Sequence, residues 1–217
     1  MQTVISVLPT PEVKLARPRL EQIMSVASQL FFTQGFEAVS LRQLAKGAGI
    51  SPGTMYNYIE SKQALLYDLM DETLSLLLNQ STQALRNRNI AKDELGIVLN
   101  VFAKLAVTDR ANLALALRHA PQLTDVQRAR IDIKIHQYAE LLQGLIRKKP
   151  LFQDIKPECL RRLVRGVLTL LRTCIEDNLQ LEKGEVYDMY SSLVDTWLDS
   201  CPPCRTPVAK KLICEKH

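Results

Sequence analysis

The sequence predicts an all-α fold in which a small N-terminal group of three helices precedes a larger helical body. Three observations lead there. Apolar residues recur at three- and four-residue spacing along most of the chain. No segment shows the period-two alternation with turn dipeptides that marks strands, and no internal repeat stands out. Glycines 35, 49 and 53 break up the first part of the chain, whereas the later helical runs are long, so the short helices come first.

Residues 1–14, MQTVISVLPTPEVK, hold two prolines and no helical period and read as a flexible N-terminal arm. After Arg19, the residues Leu20, Ile23, Met24, Ala27, Leu30 and Phe31 share one face of a helix that Gly35 ends. Ser40 and Gln43 form a capping-box pair ahead of a second helix of about two turns, which carries Leu41, Leu44, Ala45 and Ala48 and stops at Gly49. Ser51 caps a third short helix with Pro52 at its first position, ending near Ile59. Long amphipathic helices are then expected over about 62–88, 92–108, 110–119, 124–148, 157–180 and 185–200. Thr124 with Gln127 caps one, Pro157 opens another, and Gly184 separates the last two. The expected organisation is thus an arm (1–14), a small domain (15–62), a large domain (63–200) and a flexible cysteine-containing tail (201–217).

With 217 residues, 47% of them hydrophobic, the chain can bury the core of one large or two small domains, which excludes collagen, disorder and a short disulfide scaffold. Its net charge of +5 suits contact with a polyanion without establishing it. Apolar runs such as GVLTLL before Arg172 fall far short of the roughly 18 residues a membrane span needs, so no membrane partner is expected. Five cysteines is an odd count, and no charged segment followed by an apolar one opens the chain. A reducing cytoplasm with free thiols is the expectation.

Two short helices separated by a glycine turn and resting on a longer one make a helix-turn-helix, whose second helix is narrow enough for a DNA major groove. Ala45 is small where the helices cross, Gly49 can take the positive φ of the turn, and Leu44, Ala48, Ile50 and Met55 supply the contacts between them. Packing does not account for Thr54, Tyr56, Asn57, Tyr58 and Lys62, which put hydroxyl, amide and ammonium groups on an outer face of the kind that meets phosphates and base edges. The alternative is that Tyr56 and Tyr58 are half-buried and close the small domain, with Lys62 solvated. A lysine at a helix N-terminus is unfavourable, however, and a phosphate partner would offset that.

Ile23, Ala27, Leu30 and Phe31, then Gly35 and Phe36, Leu44 and Ala45, the run Ala48 to Ser51, the run Gly53 to Tyr56, and Ser61 with Lys62 together form a specific pattern. In it residues 17–66 resemble the DNA-binding domain of the TetR/AcrR family of bacterial transcriptional regulators. The resemblance implies phosphate contacts by Ser40, Tyr56, Tyr58 and Lys62. It places Arg42, Pro52, Gly53, Thr54 and Asn57 at or near base edges, with Ser51 in the same surface. Ile59 stands where an aromatic residue is usual and Tyr58 where histidine is common. The first departure should change only packing, and the second keeps a phosphate-reaching hydroxyl.

A reader of this size touches few bases, so specificity normally comes from a two-fold dimer reading half-sites about one helical turn apart, or a multiple of it. Leu163, Val167, Leu171 and Cys174 in one apolar stripe, and Tyr190, Val194 and Trp197 in another, are the expected dimer surface, unless both stripes pack on this chain's own core. The resemblance implies that the region between holds a small-molecule effector whose binding releases a repressor from a palindromic operator. Candidate effector residues are Phe102, Arg118, His119, Gln122, His136, Tyr138 and Asn178, each with a plain alternative as a helix-end, core or surface residue. Residues 118–146 are similar to family members that respond to lipophilic acyl-thioesters. Arg161, Arg162, Arg165 and Arg172 form a basic row that reads as a solvated face, with an acidic effector headgroup as the sharper alternative.

Cys201, Cys204, Cys214 and His217 have zinc-like spacing, and metal binding or thiol sensing stay open for them. The segment is rich in proline and lysine and lacks knuckle glycines, so a frayed tail without metal is favoured. No cofactor is expected. Three histidines and no G-x-S-x-G, phosphate-cradling glycine loop or H-E-x-x-H offer no catalytic constellation, so the chain does not read as an enzyme. The rival to a DNA-binding regulator is an all-helical adaptor that binds only protein.

Overall fold

A computed structural model describes residues 11–87, 93–118, 120–176 and 183–200. His119, Asn178 and the cysteine tail lie outside them, as do positions 1–10 of the arm. The described residues form helices α1 (Pro11–Gln34), α2 (Leu41–Gly47), α3 (Pro52–Met55), α4 (Lys62–Arg86), α5 (Glu94–Thr108), α6 (Arg110–Leu117), α7 (Asp125–Lys148), α8 (Pro157–Glu176) and α9 (Lys183–Ser200). A 3-10 turn at Pro150–Phe152 precedes α8, and there is no strand among them. The all-α expectation holds. The chain divides into two compact units, residues 1–69 and 70–217, and the division falls inside α4 rather than at residue 62.

In the first unit α2 packs on α1 and α3 on α2. Its core is Ile23, Ala27, Phe31, Val39, Leu44, Ala45, Ala48, Met55 and Ile59, all buried. Helix α1 begins at Pro11, not beyond residue 14, because proline at a first helical turn has the right φ and no N–H to satisfy. Ser40 and Gln43 form the expected capping box of α2. Its other end closes as a Schellman motif, in which Ile50 N–H donates to the carbonyl of Ala45 at 2.9 Å and Gly49 N–H to that of Lys46 at 3.2 Å. Gly49 sits at φ +63°, so the glycine of this turn is a steric requirement. Gly47 allows a second close approach, since a Cβ there would lie 2.6 Å from Val26 Cγ1.

Helix α3 is shorter than expected and stops at Met55 instead of running to Ile59. Beyond it three-residue bonds appear, Asn57 N–H to the Thr54 carbonyl (3.1 Å) and Tyr58 N–H to the Met55 carbonyl (3.0 Å), beside a four-residue bond from Ile59 N–H to the Met55 carbonyl (3.1 Å). Ser51 caps this helix as expected, accepting from Thr54 N–H at 3.0 Å.

In the second unit α5 packs along α9, α7 against α8 and α5, α6 against α5 and α8, and α8 against α9. The predicted capping box of Thr124 and Gln127 opens α7, and Pro157 opens α8. Gly184 lies in the first turn of α9 rather than between helices. Phe102 meets Tyr190 edge to face, ring centroids 5.4 Å apart, in the α5–α9 core. Gly166 of α8 has no room for a side chain, because a Cβ would come within 2.5 Å of the Trp197 ring on α9.

No described helix is long and apolar enough to cross a membrane.

Candidate nucleic-acid interface and effector cavity

The residues predicted to read DNA come together on the outside of the first unit. Ser40, Arg42, Ser51, Pro52, Gly53, Tyr56 and Asn57 are exposed, and Thr54 and Tyr58 are half-buried. Tyr56, at 63% exposure, is an aromatic ring held outward by the buried Met55 beside it. It therefore does not close the small domain, whereas Tyr58 is partly enclosed. Two hydroxyls are already engaged within the chain. Ser40 Oγ donates to Gln43 Oε1 at 2.7 Å and accepts from Gln43 N–H at 3.3 Å, and Ser51 Oγ lies 2.8 Å from Thr54 Oγ1.

Lys62 has an internal role that sequence reasoning missed. Its ammonium donates to the carbonyls of Phe36 at 2.8 Å and Val39 at 2.9 Å and stands 4.1 Å from the centroid of the Phe36 ring. These acceptors in the loop between α1 and α2 give a reason for a lysine at the start of α4 that needs no phosphate. An ammonium carries three donors, so the two carbonyls use two of them.

Of the expected effector residues, Arg118 lines a cavity of about 210 Å³ built by α4, α6, α7 and α8. Arg128 and Arg172 share it with Arg118, over apolar walls that include Met70, Leu117, Leu123 and Ile131. Glu176 Oε1 is 3.3 Å from Arg118 Nε and 3.4 Å from Arg172 Nε. Arg128 donates to the carbonyls of Pro121 (3.2 Å) and Leu123 (2.9 Å) and to Asp125 Oδ1 (3.4 Å), while its buried Nε has no partner among the described residues. Sequence reasoning missed Arg128; Arg172, read as solvated with an acidic effector headgroup as the alternative, is exposed and lies at the cavity. A second, open groove of about 440 Å³ runs past Leu85, Leu141, Gly144 and Leu145, with Glu94 and Lys148 paired at 2.6 Å on its edge.

Phe102, Gln122, His136 and Tyr138 do not line either cavity. His136 is a surface residue, its side chain 69% exposed and 3.4 Å from Glu140, because it faces away from the buried stripe of α7. Phe102 is consumed by its core contact with Tyr190. Tyr138 is buried, its hydroxyl without a partner among the described residues, and burial pushes its phenol above the usual range. Gln122 is half-buried.

The expected dimer surface also needs correction. Leu163, Val167, Leu171, Tyr190 and Val194 are buried in the chain's own core, where α8 and α9 pack on each other and on α5 and α6. Of the seven, Trp197 is exposed at 37% and Cys174 is half-buried, and Leu193 is a further exposed apolar residue of α9. Periodicity marks a stripe as apolar without saying what covers it.

Residues 23–69 match the family described as bacterial regulatory proteins, tetR family. The chain is 24% identical over 156 residues, 71% of its length and 80% of the relative's, to the fatty acid metabolism regulator protein of Bacillus subtilis. A tetR-family transcriptional regulator from Bordetella parapertussis shares the fold with a TM-score of 0.75 at 18% identity, covering 83% of this chain and 94% of that one. The transcriptional regulator FadR of Bacillus subtilis, in complex with stearoyl-CoA, gives a TM-score of 0.63 at 21% identity over 84% of this chain and 99% of that one.

Proposed function

We propose that the chain, whose residues 23–69 match the tetR family of bacterial regulatory proteins, is a dimeric repressor which binds a palindromic operator and leaves it when a small lipophilic molecule binds. It is a DNA-binding transcription regulator and not an enzyme. The observation that carries the reading is the outward Tyr56 beside Asn57 and Arg42, on a helix-turn-helix whose Leu44, Ala45, Ala48 and Met55 pack inward. Tyr56 and Tyr58 hold phosphates through their hydroxyls. Lys62 adds its remaining donor, and Ser40 and Ser51 shape the two helix starts. Arg42, Pro52, Gly53, Thr54 and Asn57 lie near base edges.

Two copies pair through the outer faces of α8 and α9, around Trp197, Cys174 and Leu193, as a four-helix bundle. That pairing sets the two readers on half-sites one helical turn apart or a multiple of it. The relatives concerned with fatty acids and stearoyl-CoA support an acyl-thioester or similar lipophilic effector, coupled to DNA by about 1–3 kcal/mol. The site of action is the cytoplasm.

An operator selected by the protein from random duplex DNA tests the reading in a mobility-shift assay. Tyr56→Ala protein with unchanged circular dichroism should bind it at least about tenfold more weakly, a loss of about 1.4 kcal/mol. Equal binding would remove Tyr56 from the interface, and failure to select any sequence would remove the function.

A further inference from the structure

We propose that Gly53 is where the operator comes closest to the chain, and that its missing side chain sets how deeply α3 enters the major groove. The proposal rests on the DNA-binding reading above and adds the residue that fixes the fit by shape.

A glycine in a helix lowers stability relative to alanine, so its presence there points to a use of its backbone freedom or of its missing side chain. Elsewhere in this chain such uses are internal. Gly35 and Gly49 have positive φ, of +84° and +63°, and a Cβ at Gly47 or Gly166 would lie 2.6 or 2.5 Å from a neighbouring side chain. Gly53 has neither reason. Its φ is not positive, it is exposed, and a Cβ there would meet only Ser51 Oγ, at an ordinary 3.8 Å. Gly144 of α7 is likewise unconstrained, but it borders the open groove of the second unit.

Gly53 precedes Tyr56 and Asn57 by three and four residues, so on this helical turn it shares the face that carries both of them outward. Beside it Pro52 has no N–H, and the hydroxyls of Ser51 and Thr54 are bonded to each other at 2.8 Å. This corner of the reader therefore offers a duplex few hydrogen bonds and no projecting side chain, next to side chains that do project. Close packing of the Gly53 Cα on the groove wall fits that arrangement. A methyl group at this point would hold α3 off the bases and draw Tyr56, Asn57 and Arg42 away with it.

Fluorescence anisotropy with the selected operator, and with a random duplex of equal length, compares the full-length wild type with Gly53→Ala, Gly53→Ser and Gly144→Ala. Gly53→Ala should melt with the wild type or up to about 4 °C above it, because the added methyl meets open space and restricts the unfolded chain. It should nevertheless bind the operator at least about tenfold more weakly, as overpacking of a close contact does. Its binding to the random duplex, which is electrostatic, should change by less than about twofold. Gly53→Ser should lose at least as much as alanine, since the loss follows volume and not polarity. Gly144→Ala should keep the wild-type operator affinity. The proposal is overturned if Gly53→Ala melts clearly below the wild type, which would place the need for glycine inside the fold, or if Gly144→Ala loses as much operator affinity. A selective wild type with Gly53→Ala or Gly53→Ser binding equally well removes this inference alone. A wild type that prefers no sequence to the random duplex removes the DNA-reading function and this inference with it.

Discussion

Lys62→Met keeps the apolar stem of the side chain and removes the ammonium. In the wild type that group donates to two part-buried carbonyls, of Phe36 at 2.8 Å and Val39 at 2.9 Å, and lies 4.1 Å from the Phe36 ring centroid. A hydrogen bond to a charged group contributes about 1.5–3 kcal/mol and an exposed cation–π contact about 0.5–1 kcal/mol. Water reaches this half-buried site and replaces part of what is lost, so we expect a net cost of about 2 kcal/mol. For a chain of this size each kcal/mol moves Tm by roughly 2–4 °C, so melting followed by circular dichroism should fall by about 4–8 °C. The third donor supplies the DNA side. Removing one phosphate contact lowers the slope of log Kobs against log salt by about 0.9 per subunit, which fluorescence anisotropy of a labelled operator across a potassium chloride series measures. A variant that melts with the wild type refutes the anchoring. One that melts early but keeps the wild-type slope refutes the phosphate contact and leaves Lys62 as a structural tie alone.

Three further substitutions probe the packing. Gly47→Ala places a methyl 2.6 Å from Val26 Cγ1, and after a gain of about 1 kcal/mol in helix propensity it should still cost about 1 kcal/mol in urea unfolding. Adding Val26→Ala should recover much of that loss, and a purely additive double mutant would deny the contact. Gly166→Ala pushes on the indole of the chain's single tryptophan, Trp197, so the emission of the folded protein should shift to the red. An unmoved spectrum would mean that the ring does not lie there. Tyr138→Phe removes a buried hydroxyl that has no partner among the described residues and should stabilise by about 1 kcal/mol in chemical denaturation; a clear loss instead would show that the hydroxyl is satisfied.

What was legible in the sequence is what neighbouring residues decide among themselves. Ser40 with Gln43 and Thr124 with Gln127 are bonds between residues three apart, and both capping boxes form. Gly49 is a steric condition on one residue, and it holds at φ +63°. The helix-turn-helix follows from such conditions in series, so the local fold from Ser40 to Met55 was legible from neighbouring residues. The end of α3 was misplaced because three-residue bonds mix with a four-residue one after Met55 without any proline or glycine to mark the change. Lys62 shows the limit more sharply. The sequence puts a cation at the positive end of a helix, and only the fold brings carbonyls from 23 and 26 residues earlier to meet it. The apolar stripes of α8 and α9 were read correctly as apolar, but burial against α5 and burial against a second chain give the same period. The arginine cavity needed more still, because Arg118, Arg128 and Arg172 belong to three separate segments and each alone resembles an ordinary solvated cation.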